Sequence, residues 1–146
     1  MRIAIFILLS ALAMAPAQAR ECTAANAIAA DAASDYWQSW SAIFGAYKRY
    51  GQCDNGAPGE GFADDIVHVL ATKWGSLREA QRFINQQPAF EKFIVQHIDA
   101  TTDYDELILI ERHATNRCPA SAKILCAKIL SAAKKAVAEI AAPAPN

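Results

Sequence analysis

Apolar residues recur at spacings of three and four along most of the chain, the periodicity of helices that each bury one stripe. Thr23 to Ala33 is alanine-rich and predicts a first helix. Ser34 to Tyr50 carries Tyr36, Trp40, Phe44 and Tyr47 on one line, which predicts a second helix with an aromatic core face. Trp37 and Tyr50 lie off that line and are expected to be partly exposed. Gly51 to Gly61 holds four glycines and Pro58 and reads as a loop. Ala63 to Trp74 predicts a helix whose first turn contains Asp64 and Asp65, where the helix dipole favours negative charge. Gly75 stops it, and Ser76 with Glu79 forms a capping box for a helix ending near Gln86.

Farther on, Pro88 suits a first helical position, and Phe90, Phe93, Ile94 and Ile98 give the next helix its apolar face. Thr102 with Asp105 resembles another capped start, and Leu107 to Ile110 is the run expected to be fully buried. That run alone could form a strand, but its capped start and helical flanks favour a helix. Pro119 opens the last helix, which runs to about Ala141. In that helix Leu125, Cys126, Ile129, Leu130, Ala133, Val137 and Ile140 share one side, and Lys123, Lys128, Lys134 and Lys135 the other. The expected fold is all-α: one compact bundle of about five to six helices over residues 20–141, with a disordered Pro/Ala tail at 142–146.

The N-terminal end changes the context of that bundle. Arg2, an apolar core from Ile3 to Ala13, and Ala17-Gln18-Ala19 form the three parts of a secretory signal peptide, with cleavage expected after Ala19. The apolar core is too short for a permanent membrane anchor. Arg20-Glu21 before Cys22 leaves no lipobox. The expectation is an exported chain, periplasmic or secreted, of about 127 residues and one domain. Its net charge of about −2 gives no reason to expect nucleic acid or a stable membrane attachment. Charge is nonetheless segregated. Asp54, Glu60, Asp64 and Asp65 crowd one stretch, whereas the basic residues from Arg112 to Lys135 run without an acid among them.

Four cysteines, Cys22, Cys53, Cys118 and Cys126, remain after cleavage, and in an oxidising compartment they predict two disulfides with three possible pairings. If Pro119 starts the last helix, Cys118 and Cys126 are about 12 Å apart, beyond the roughly 7 Å that a disulfide spans. The favoured pairing is then Cys53 with Cys118 and Cys22 with Cys126.

No catalytic motif is present. A G-x-S-x-G elbow, an HExxH pair, an EF-hand spacing and a phosphate-binding loop are all missing. His68, His97 and His113 are scattered over separate helices, so no metal or cofactor is expected. Asp64 lies one turn before His68 and could pair with it. The best candidate for recognition is the Gly-rich acidic segment, with Asp54, Asn55, Glu60, Asp64 and Asp65 as candidate partner-binding residues. The competing reading of the segment is a plain turn leading into an acid-capped helix. Glu60 with Asp64 or Asp65 could supply the two carboxylates of a small glycosidase, but paired carboxylates are common and the expectation is no enzymatic activity.

Phe90-x-x-Phe93 with His97 and Asp99, then Cys118-Pro119, then Leu125-Cys126 on a terminal helix resemble the small periplasmic Rap/Tai-type immunity proteins. Those proteins guard bacteria against peptidoglycan amidases delivered by type VI secretion. The resemblance implies an inhibitor that plugs a toxin's active-site cleft, often as a homodimer. The Asp54 to Gly61 segment stands outside it, and no functional residue transfers position by position. The leading expectation is therefore an exported helical binding protein, an immunity-type inhibitor acting on a secreted toxin by steric occlusion. A periplasmic stress or chaperone-like protein and a small peptidoglycan hydrolase are the alternatives.

Overall fold

The computed structural model describes residues 20–34 and 37–142. Segment 1–19, where a signal peptide is expected, Tyr36 and the tail 143–146 lie outside the described residues. Within them the chain is all-α, with seven helices where the pattern predicted five or six, and with two disulfides. The helices are α1 (Ala24–Asp31), α2 (Trp40–Tyr50), α3 (Gly56–Thr72), α4 (Leu77–Gln86), α5 (Ala89–Gln96), α6 (Tyr104–Asn116) and α7 (Lys123–Ala141). Short 3₁₀ turns at Gly51–Cys53, Trp74–Ser76 and Ala120–Ala122 join three of the connections. Among the described residues no helix is long and apolar enough to cross a membrane.

Burial follows the helical stripes. Phe62, Phe90, Ile43, Ile66, Leu70, Leu107, Ile110, Leu125 and Ile129 are fully buried. Each such side chain removed from water contributes about 1.5–3 kcal/mol. The most extensive helix pair is α6 against α7, and α3 packs on α6. The lysine side of α7 is exposed and its Leu125–Cys126–Ile129–Ala133 side is buried, as the spacing predicts, but Ile140 in the last turn is exposed. Leu107 to Ile110 is helical, but the same periodicity turns Leu109 outward while burying Leu107 and Ile110. Fully burying four consecutive residues would require a strand or a helix enclosed on every side.

The aromatic residues of α2 form the core face as expected, but the helix starts later. Its cap is Ser39, whose hydroxyl accepts from the Ala42 N–H, not Ser34. Trp37 and Tyr50 are buried, contrary to expectation: Tyr50 ends α2 on the same face as buried Ile43 and Ala46, and Trp37 lies before the helix and stacks on Phe62 at 4.4 Å. Helical phase does not govern a residue outside the helix.

Three further expectations are corrected. The Gly-rich segment is not a loop to Gly61. Helix α3 begins at Gly56, with Pro58 in its first turn, where a missing N–H costs nothing. Gly56 has φ +58°, a conformation glycine adopts freely. A Cβ on Gly61 would lie 2.6 Å from the Ser34 Cβ, so this glycine serves close packing. Asp64 and Asp65 consequently sit in mid-helix, away from the dipole's positive end.

The caps also differ. Ser76 donates its hydroxyl to the Lys73 carbonyl instead of capping α4, and Asp103, not Thr102, accepts from Glu106 N–H at the start of α6.

Both disulfides depart from the favoured pairing. The bonds are Cys22–Cys53 and Cys118–Cys126, with Cα separations of 4.8 and 6.1 Å. Pro119 is extended (ψ 139°) and a 3₁₀ turn follows, so α7 starts only at Lys123. One helical turn then separates Lys123 from Cys126, and the chain doubles back far enough for the neighbouring cysteines to meet.

Candidate functional site

The N-terminal turn of α3 and the C-terminal end of α5 face each other across an open cleft of about 350 Å³. The Gly51–Cys53 turn delivers Asp54 and Asn55 to one wall, and the first turns of α3 add Glu60. The opposite wall comes from Gln96, His97, Asp99 and Thr101, where α5 ends and the chain turns towards α6. No lysine or arginine lines the cleft.

His97 is held there by the apolar face of α5. Phe90, Phe93, Ile94 and His97 follow helical spacing, and the imidazole packs 4.3 Å from the Phe93 ring and 5.8 Å from Phe62. Its Nδ1 lies 2.7 Å from the Phe93 carbonyl, which can only accept, so Nδ1 donates. Its Nε2 lies 2.6 Å from Asp54 Oδ1, and one proton is needed between them for that bond. Gln96 Nε2 donates to the other Asp54 oxygen at 2.6 Å. Both ring nitrogens of His97 and both oxygens of Asp54 are therefore engaged in holding the walls together. In this geometry His97 has no free ring nitrogen with which to take a proton from a ligand.

The charge that faces the open cleft comes from elsewhere. Asp99 Oδ1 accepts from the Thr101 N–H and hydroxyl at 2.8 and 2.6 Å, which leaves its second oxygen available. The Glu60 carboxylate has no hydrogen bond or ion pair among the described residues. The neighbouring Asp64 reports their field. Partial burial, then the negative charges of Glu60 and Asp99, push its carboxyl above the ordinary value of 3.8. An imbalance of this kind raises a carboxyl when no cation offsets it.

Of the five residues singled out from sequence, Asp54, Asn55 and Glu60 meet in this cleft. Asp64 and Asp65 border a separate depression with His68, Asp103 and Glu106. His68 pairs with Glu106 at 2.7 Å and not with Asp64, because α6 packs on α3 and brings Glu106 to its Nδ1. Among the described residues no group of three or more His, Cys, Asp or Glu side chains is placed to hold a metal ion. His97, Asp99 and Gln96 were missed as companions of the acidic segment. The available signal was His97 on the apolar line of α5, a histidine that burial obliges to find a polar partner.

Compared with protein-family models, curated proteins and solved structures, the chain matches none.

Proposed function

We propose that this chain is exported and works by contact, as an immunity-type inhibitor that occludes a cell-wall-directed toxin. The observation that carries the reading is the cleft whose carboxylates, Glu60 and Asp99, form no ion pair among the described residues. Such a site is complementary to a lysine or arginine presented by a protein partner, and like-signed partners are repelled from it. The His97–Asp54–Gln96 bonds keep the walls in place before binding, which lowers the ordering cost of association. Two disulfides suit a protein that resides outside the reducing cytoplasm.

The test is isothermal titration with a secreted toxin encoded beside this chain's gene. Glu60→Gln with Asp99→Asn is expected to weaken binding about tenfold or more, roughly 1.4 kcal/mol, with the circular dichroism unchanged. Equal affinity for the double variant, or the lack of any toxin gene at that position, would overturn the reading.

A further inference from the structure

We propose that α1 is a strap that a dithiol can unfasten at Cys22–Cys53, freeing the segment 20–34 while α2 to α7 stay folded. The inference does not depend on what the cleft binds. It rests on how little else holds α1. An isolated helix of eight residues is not stable in water, so α1 needs tertiary support. Yet Ala30 is the only buried residue between Arg20 and Ser34, and Ile28 is 71 % exposed. Among the described residues, the one hydrogen bond from this segment to another helix is Arg20 Nη1 to the Lys48 carbonyl at 3.4 Å. The Thr23 and Ser34 side chains bond only within the segment, and the Ser34 carbonyl accepts from the Trp37 N–H at 3.2 Å where the strap joins the body. No ion pair joins it to the body among the described residues.

The covalent link therefore dominates, and its two ends differ in access. Cys22 is exposed, whereas Cys53 is buried under the strap. A reductant thiolate attacks Cys22 Sγ, forming a mixed disulfide and expelling Cys53 as a thiolate that takes up a proton. The reductant's second thiolate then attacks its own sulfur in the mixed disulfide. That step releases Cys22 as a thiolate, which is protonated in turn, and oxidises the reductant to its cyclic disulfide. Two electrons and two protons pass to the protein. The second bridge offers no comparable entry, because Cys118 is half-buried and Cys126 is 3 % exposed in the core face of α7. Access to sulfur is one of the factors that set exchange rates.

Release would uncover the ground on which α1 rests, namely the Gly61 face of α3, the adjoining part of α2 and the Gly51–Cys53 turn. The device is thus a thiol-sensitive cover over one side of the bundle. Graded dithiothreitol, alkylation and peptide mapping follow the order of opening, and hydrogen exchange on the same samples follows the helices. The expected result is an intermediate alkylated at Cys22 and Cys53 alone. In it the α1 amides lose protection about tenfold or more, while those of α6 and α7 change less than about twofold. Cys22→Ala/Cys53→Ala should show the same pattern without reductant. Opening of Cys118–Cys126 first, retained α1 protection in the intermediate, or equal loss of protection in α1 and α7 would each overturn the proposal.

Discussion

Cys22–Cys53 fastens a helix that buries one alanine, whereas Cys118–Cys126 lies at the α6–α7 pair, where Leu107, Ile110, Leu125 and Ile129 leave almost no surface to water. The first link spans 31 residues and the second 8. Loop entropy alone ranks them by length, at about 4 and about 2–3 kcal/mol respectively. Packing works against that ranking. When the second link is cut the hairpin stays docked, so only the unfolded chain gains freedom. When the first is cut the folded chain also gains freedom, because α1 comes loose, and much of the entropic difference disappears. A cross-link thus contributes to global stability only as far as the structure it joins would hold together without it.

The largest effects should come from the packed region. Ile129→Ala or Leu107→Ala is expected to cost about 2–5 kcal/mol, while Ile28→Ala on α1 stays within about 0.5, both read by urea unfolding. A costly Ile28→Ala would place α1 in the core and end the contrast. Next come the links themselves. Cys118→Ala/Cys126→Ala should cost close to the full 2–3 kcal/mol of its loop, and Cys22→Ala/Cys53→Ala clearly less than its 4. The second variant should also show a smaller denaturant slope, since α1 is already exposed.

Asp54→Ala should cost about 1–3 kcal/mol by leaving His97 Nε2 buried without a partner. Its cost should be the same with and without the remote Cys118–Cys126 link, a cycle that asks whether the cleft and the hairpin are independent. The smallest effect is expected at Asp64. Its carboxyl is raised in the folded state, so at neutral pH the ionised group disfavours folding and Asp64→Asn stabilises. As pH falls through the raised value the native wild type is protonated first and gains stability. The advantage of the variant should therefore shrink on acidification and vanish below about 3.8. An advantage that grows in acid would reverse the assigned direction.

The core face of α7 is the part most legible in the chain, because its residues obey one rule at a time. Leu125, Cys126, Ile129 and Ala133 recur at helical spacing and are buried, and their lysine neighbours are not. The region around α1 is hard to read from sequence because two rules compete there. Gly56, Gly59 and Gly61 with Pro58 carry the composition of a loop, yet Pro58 fits a first helical turn and Gly61 lets α3 approach Ser34. The disulfide pairing is hidden for a similar local reason: Pro119 suits a helix start, yet its extended conformation returns Cys118 to Cys126. Half of the cleft could be read from the chain, since Asp54, Asn55 and Glu60 are close in sequence. The other half could not, because Gln96 and His97 come from more than 40 residues away and bond Asp54 only once α5 has docked.

The strap can be tested most directly at the glycine beneath it. Gly61→Ala sets a methyl 2.6 Å from the Ser34 Cβ while α1 is fastened, so in the oxidised wild type it is expected to destabilise by about 1–2 kcal/mol. With Cys22→Ala/Cys53→Ala in the background, α1 has already left. The same substitution should then stabilise, by up to about 1 kcal/mol, through the better helix propensity of alanine. Unfolding free energies of the four proteins decide the matter. A change of sign is the predicted result, and the same destabilisation in both backgrounds would show that α1 stays seated without its disulfide.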